Sequence, residues 1–252
     1  MTENPSTPPP PPGWYADPER PGGLRYWDGA AWAQQWGGGN TRDVRPVGRG
    51  FARLARFTGI GLTIAAVLTV AHAGVYAWGL SMFDDAVAAG DVDRLSSFDS
   101  LDQGLVIAVL AAYAVTGTCW VFWQYQLARS VPERDLRRGP GMHAGSWFIP
   151  FANLVLPFQN VRDLWVRLLP DRATTILGWW WGTWIGSAVL GRVTAGQDAA
   201  DVHQLKGAVS AGLLGDAVTL VAAALALVVV RTLTAAALRN DAPLTPEATA
   251  AA

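Results

Sequence analysis

Cysteine occurs once in the 252 residues, at Cys119, so the chain has no intrachain disulfide, and its redox compartment cannot be read from its thiols. Lysine also occurs once, at Lys206, and eighteen of the nineteen basic residues are arginine. Charge is scarce, with Asp, Glu, Lys and Arg together making 15% of the chain. No basic segment followed by an apolar run opens the sequence, so no cleavable signal peptide is expected and the first spanning helix should direct insertion. There is no phosphate-binding glycine loop, no HExxH, no GxSxG and no DxDxDG spacing. Soluble-type catalysis, a cofactor and a bound metal are therefore not expected, and Asp84, Asp85, Asp91 and Asp93 read as a solvated acidic loop.

What is present is apolar. Hydrophobic residues make up 51% of the chain and mean hydropathy is +0.20, as expected when long apolar runs alternate with short polar loops. The formal net charge of −1 hides opposite charges gathered in different loops, and no nucleic-acid partner is expected. Four uncharged or nearly uncharged runs are long enough to cross ~30 Å of hydrocarbon at ~1.5 Å per residue: 57–80, 104–127, 173–191 and 207–230. Between the second and third lies GSWFIPFANLVLPF, residues 145–158, too short and too interrupted to span. Pro150 and Pro157 each lack an amide donor and Asn153 carries an amide that hydrocarbon cannot satisfy, so this stretch is expected to be a re-entrant or interfacial wedge beside Trp147. Residues 158–169 place Phe158, Val161, Trp165 and Leu168 at helical spacing and predict an amphipathic interfacial helix.

Loop charge orients the whole. Four spans with a wedge put sixteen basic residues on one side and leave Arg94, Arg192 and Lys206 on the other, whereas a fifth span at the wedge would expel Arg162, Arg167 and Arg172. The expectation is a multi-pass plasma-membrane protein with both termini in the cytoplasm, the bilayer being its first partner. Trp120, Trp123, Tyr125, Trp147, Trp165 and Trp179–Trp181 would form a belt near the cytoplasmic interface.

The N-terminal part differs in character. Residues 1–12 are proline-rich and read as a disordered tail; residues 37–50 are glycine-rich and read as a flexible basic linker; residues 241–252 read as a second disordered tail. Residues 13–36 hold six aromatics among turn signals at Asp17-Pro18, Pro21-Gly22-Gly23 and Asp28-Gly29, so strands near Trp14-Tyr15, Leu24–Trp27 and Trp32–Gln35 should form a β-meander. Trp14, Tyr15, Tyr26, Trp27 and Trp32 are open to two readings: the core of a very small domain, or an aromatic platform for a polyproline ligand, either Pro8–Pro12 or another chain. The fold class is thus mainly α: a polytopic four-helix transmembrane bundle over residues 51–240 with a re-entrant or interfacial segment, plus a small N-terminal β module.

Gly13-Trp14-Tyr15-x-Asp17-Pro18, followed by Arg25-Tyr26-Trp27-Asp28-Gly29-x-x-Trp32, resembles the actinobacterial module called domain of unknown function 2510. Gly145 to Pro157 with Arg162-Asp163-Leu164-Trp165, set between spanning segments, resembles domain of unknown function 4328. The resemblances imply a multi-span bacterial membrane domain behind an aromatic module and carry no catalytic residues.

Two further constellations stand out. Gly178, Gly182 and Gly186 recur every four residues and predict a smooth stripe, either for packing inside the bundle or for a homodimer seam. Asp216, read as the only carboxylate within a span, and His72 fall at similar depth and are expected to pair or to serve as a proton site. Two functions follow: a non-enzymatic anchor or sensor and scaffold presenting a cytoplasmic protein-interaction module at residues 13–36, or a small ion- or proton-coupled transporter or channel acting as a homo-oligomer.

Overall fold

The computed structural model of the chain describes residues 10–16, 24–37, 47–48, 50–194 and 201–241. The proline tail before residue 10, the turn signals between 17 and 23, most of the linker and the C-terminal tail lie outside the described residues. The chain divides into two compact units, Met1–Asp43 and Val44–Ala252.

The first unit is the expected meander. Strands β1 (Gly13–Ala16), β2 (Leu24–Trp27) and β3 (Trp32–Gly37) form one antiparallel sheet in the order β1-β2-β3, with Trp14 paired to Tyr26, Tyr15 to Arg25 and Trp27 to Trp32. The second hairpin is not the two-residue turn that Asp28-Gly29 implies. Trp27 faces Trp32 across a four-residue loop, because the Asp28 carboxylate accepts from the amides of Ala30 and Ala31 at 2.8 and 2.7 Å and Gly29 adopts φ 104°. Those two amides hold the Asp28 carboxyl below its ordinary pKa.

The second unit is helical. Its elements are α1 (Phe51–Ala89), α2 (Val92–Ser130), the short α3 (Pro140–Gly145), α4 (Leu156–Leu168), α5 (Thr175–Thr194) and α6 (Val202–Asp241). Among the described residues, three helices are long and apolar enough to cross a membrane: α1, α2 and α6. The run 173–191, the third expected span, forms the 20-residue helix α5. Its tryptophans, glycines and threonines lower its hydropathy, so it is not among the three.

The acidic segment between the first two runs is not a loop. Helix α1 continues to Ala89, Gly90 ends it at φ 65° with its amide reaching the Ala86 and Val87 carbonyls, and Asp91 caps α2 by accepting from the Arg94 amide at 3.0 Å. The reason is a second core above the apolar runs. Met82, Phe83 and Ala86 of α1 meet Phe98 of α2 and Val209 of α6, and all five are buried. Phe83 and Phe98 stand edge to face at 4.9 Å.

At the other end the tryptophans gather inward rather than into a lipid-facing belt. Trp120, Trp123 and Trp180 are 7%, 0% and 2% exposed; Trp120 stacks on Trp180 at 5.4 Å and meets Trp147 at 6.2 Å. Three of the indole donors find partners: Trp120 and Trp147 donate to the Gln124 side-chain oxygen at 3.2 and 2.9 Å, and Trp123 donates to the Thr234 hydroxyl at 3.0 Å. An indole with an internal acceptor has no need of the water at an interface. Trp179, at 67% exposed, is the member that faces outward.

Helix α4 likewise turns its apolar side into the protein. Val161, Leu164, Trp165 and Leu168 join the large core with α2 and α6 residues, while Arg137 and Arg167 bind Asp163 and Asp135 at 3.4 and 2.7 Å.

Candidate functional site

The wedge takes its shape from its prolines and from two side-chain anchors. Pro157 occupies the first turn of α4, where the missing amide costs nothing, and residues Ala152–Leu154 make one 3-10 turn. Between α3 and that turn the chain bends at Phe151, which has φ 62°, an uncommon value for a residue with a Cβ. Asn153 is half-buried and its backbone N–H donates to the Ile149 carbonyl at 3.0 Å. The Trp181 indole of α5 donates to the Leu154 carbonyl at 3.1 Å, and Trp147 packs edge-on against Trp181 and Trp184 at 6.1 and 5.6 Å. Asn160, wholly buried, donates to the Met142 carbonyl and the Ser146 hydroxyl and accepts from Arg138. With the backbone so fixed, Phe148, Phe151, Leu154 and Val155 project outward, Phe148 and Phe151 at 76% and 86% exposed.

His72 and Asp216 meet as expected, His72 Nδ1 lying 2.8 Å from Asp216 Oδ2. A third residue, Asp102 of α2, sits on the other ring nitrogen, Oδ1 at 3.0 Å from Nε2. Asp216 is therefore not the only carboxylate of the site. Each short N···O contact needs a hydrogen, so the three residues share two protons, either both on the imidazole or one of them on a carboxylate. The cluster is only partly closed, with side-chain exposures of 12% for His72, 16% for Asp216 and 29% for Asp102. Tyr76, one turn from His72, lays its ring 4.3 Å from the imidazole. Gly212 makes room for that ring, since a Cβ at 212 would overlap Tyr76. Among the described residues no group of His, Cys, Asp and Glu is arranged to hold a metal ion.

The glycine stripe does not form a close helix contact along its length. A Cβ at Gly178 or Gly182 would meet nothing within 4 Å, and only Gly186 approaches α6, at Val218 Cγ1 3.7 Å. Close approaches occur instead on α1, where Gly61 lies against Thr116 and Gly79 against Phe98.

In the first unit, Trp27 and Trp32 meet at 5.3 Å and Tyr15 stands 6.4 Å from Trp32, forming one continuous aromatic surface. Pro10–Pro12 lie on it. The Trp27 indole donates to the Pro10 carbonyl at 3.0 Å and the Tyr15 hydroxyl to the Pro11 carbonyl at 2.8 Å. Tyr26, one residue out of phase with Trp27, belongs to the opposite face of β2, and the side chain of Trp14 lies outside the described residues.

Three long apolar helices joined at a polar cluster make this a helical membrane protein. The chain belongs to the family described as domain of unknown function DUF4328, whose model matches residues 84–235, more than half of its length. The model described as protein of unknown function DUF2510 matches residues 12–44. No curated protein and no solved structure matches the chain. The stretch shared with the first family carries Asp102 and Asp216 but not His72.

Proposed function

We propose that the chain is a non-enzymatic membrane anchor and scaffold that displays the aromatic module on the cytoplasmic side of the plasma membrane. The observation that carries this reading is the division into a compact aromatic unit, Met1–Asp43, and a separate helical unit. Within the helical unit α1, α2, α5 and α6 are the four spans. The projecting Phe148, Ile149, Phe151, Leu154 and Val155 support a wedge dipping into one leaflet, because apolar side chains this exposed are covered more favourably by lipid than by water. Arg129, Arg134, Arg137, Arg138, Arg162, Arg167 and Arg172 flank that wedge in the chain, which supports the cytoplasmic side for it and for both termini. Affinity capture after crosslinking in membranes, with and without residues 13–36, is the test: partners lost with the module support display, and an unchanged set refutes it.

A second reading, an oligomeric ion- or proton-coupled transporter or channel, is favoured by the Asp102–His72–Asp216 cluster drawn from three helices. In proteoliposomes it requires a proton or cation flux that Asp216→Asn abolishes with the fold retained.

A further inference from the structure

Proline has no amide hydrogen, so a run such as Pro10–Pro12 cannot extend β1 by pairing with a neighbouring strand. Its carbonyls remain strong acceptors and in an extended proline segment have no internal partner. Here two successive ones are taken by side-chain donors of two different strands, Trp27 of β2 and Tyr15 of β1. A further contact is apolar, Pro12 Cγ lying 3.3 Å from the position a Cβ would occupy on Gly29, so the bare backbone at the hairpin tip forms part of the seat. All three prolines are solvent-exposed on their outer side. Among the described residues of this unit nothing covers them. A segment buried as core would be enclosed, whereas this one lies on the surface, and the two donors that hold its carbonyls do not depend on which chain supplies them.

Resting on the display reading, we propose that the Tyr15–Trp27–Trp32 face is a receptor site for a proline-rich segment of a partner protein, held closed by Pro10–Pro12 of its own chain. The ligand class follows from the seat: an extended left-handed proline helix, stiff before binding, with two adjacent carbonyls for the indole and phenol donors and ring surfaces for the indoles. The tethered segment competes at an effective concentration on the order of mM. With an intrinsic dissociation constant of about 0.1 mM for the tethered prolines, a competing partner is weakened about tenfold.

The test uses the full chain in lipid nanodiscs and fluorescein-labelled octaproline, read by anisotropy. The native chain should bind octaproline in the mM range and an alternating Gly-Ser octamer not at all. Replacing Pro10→Gly and Pro11→Gly together, which keeps the carbonyls but removes the stiffness, should tighten octaproline binding about tenfold. Adding Trp27→Phe to that variant, which keeps a ring and removes the donor, should weaken it again about fivefold, the worth of one neutral hydrogen bond. Affinity in the Pro10→Gly, Pro11→Gly variant within twofold of native overturns the proposal. So does equal or absent binding of the two octamers by the native chain, a result independent of whether the double variant folds. Failure of octaproline with module-dependent capture intact removes this ligand and leaves the anchor; octaproline binding with module-independent capture removes the anchor.

Discussion

His72 is held from both sides by carboxylates that belong to two other helices, so one imidazole ties α1 to α2 and α6 at a single height. Such a cluster is a unit, and its members should not act independently. His72→Ala and Asp216→Asn are each expected to lower the unfolding transition in detergent, and the double variant should cost less than the two together by about 0.5–3 kcal/mol. Additive effects would remove the pair. Asp102→Asn should couple to His72→Ala in the same sense, which distinguishes a three-residue cluster from a pair. The His72 and Asp216 contact was legible in the sequence because each is the one residue among Asp, Glu, His, Lys and Arg in its apolar run, at matching depth. Asp102 was not. It lies just before residue 104, where the uncharged run begins, among aspartates that read together as a solvated loop. The signal that could have found it is the helical spacing of Leu95, Phe98 and Asp102, which continues the periodicity of α2 upstream of the apolar run.

Packing decided the elements whose form differs from expectation. The segment between the first two runs became the end of one helix and the start of the next because Met82, Phe83 and Ala86 had Phe98 and Val209 to pack against. Charge counts alone conceal such spacing. The break in helix over residues 145–158, by contrast, was legible from Pro150 and Pro157, which limit local backbone choices whatever surrounds them. What could not be read was its support, since Trp181 is distant from the segment in sequence and Asn160, just past its end, reaches back to Ser146 near its start. Close to that support lies His143 of α3, fully buried beside Arg138. Burial, and then the Arg138 guanidinium, push its pKa down from 6.5 to about 4, so the folded protein carries the ring neutral where the unfolded chain would protonate it. The unfolded state therefore binds more protons between about pH 6.5 and about pH 4, and stability falls as pH drops through that window. The expected outcome is a melting temperature that declines from pH 7 to pH 4 in the native chain and declines less in His143→Leu; equal slopes would show that the ring is not the sensor.

For the whole molecule, the testable quantity is which loops share a side. In a Cys119→Ser background, a cysteine at Ser96 should react with an impermeant maleimide from outside intact cells, and one at Gly139 should react only after permeabilisation. External reaction at Gly139 would overturn the four-span arrangement. The lengths of the three long helices bear on how such a protein is measured. Helices α1, α2 and α6 contain 39, 39 and 40 residues, whereas crossing the hydrocarbon takes about 20. Roughly half of each rod therefore stands in headgroups or water. Circular dichroism, which reads backbone geometry and is blind to solvent, will overstate the membrane-embedded fraction of these helices about twofold; amide deuteration, which reads access to water, will not.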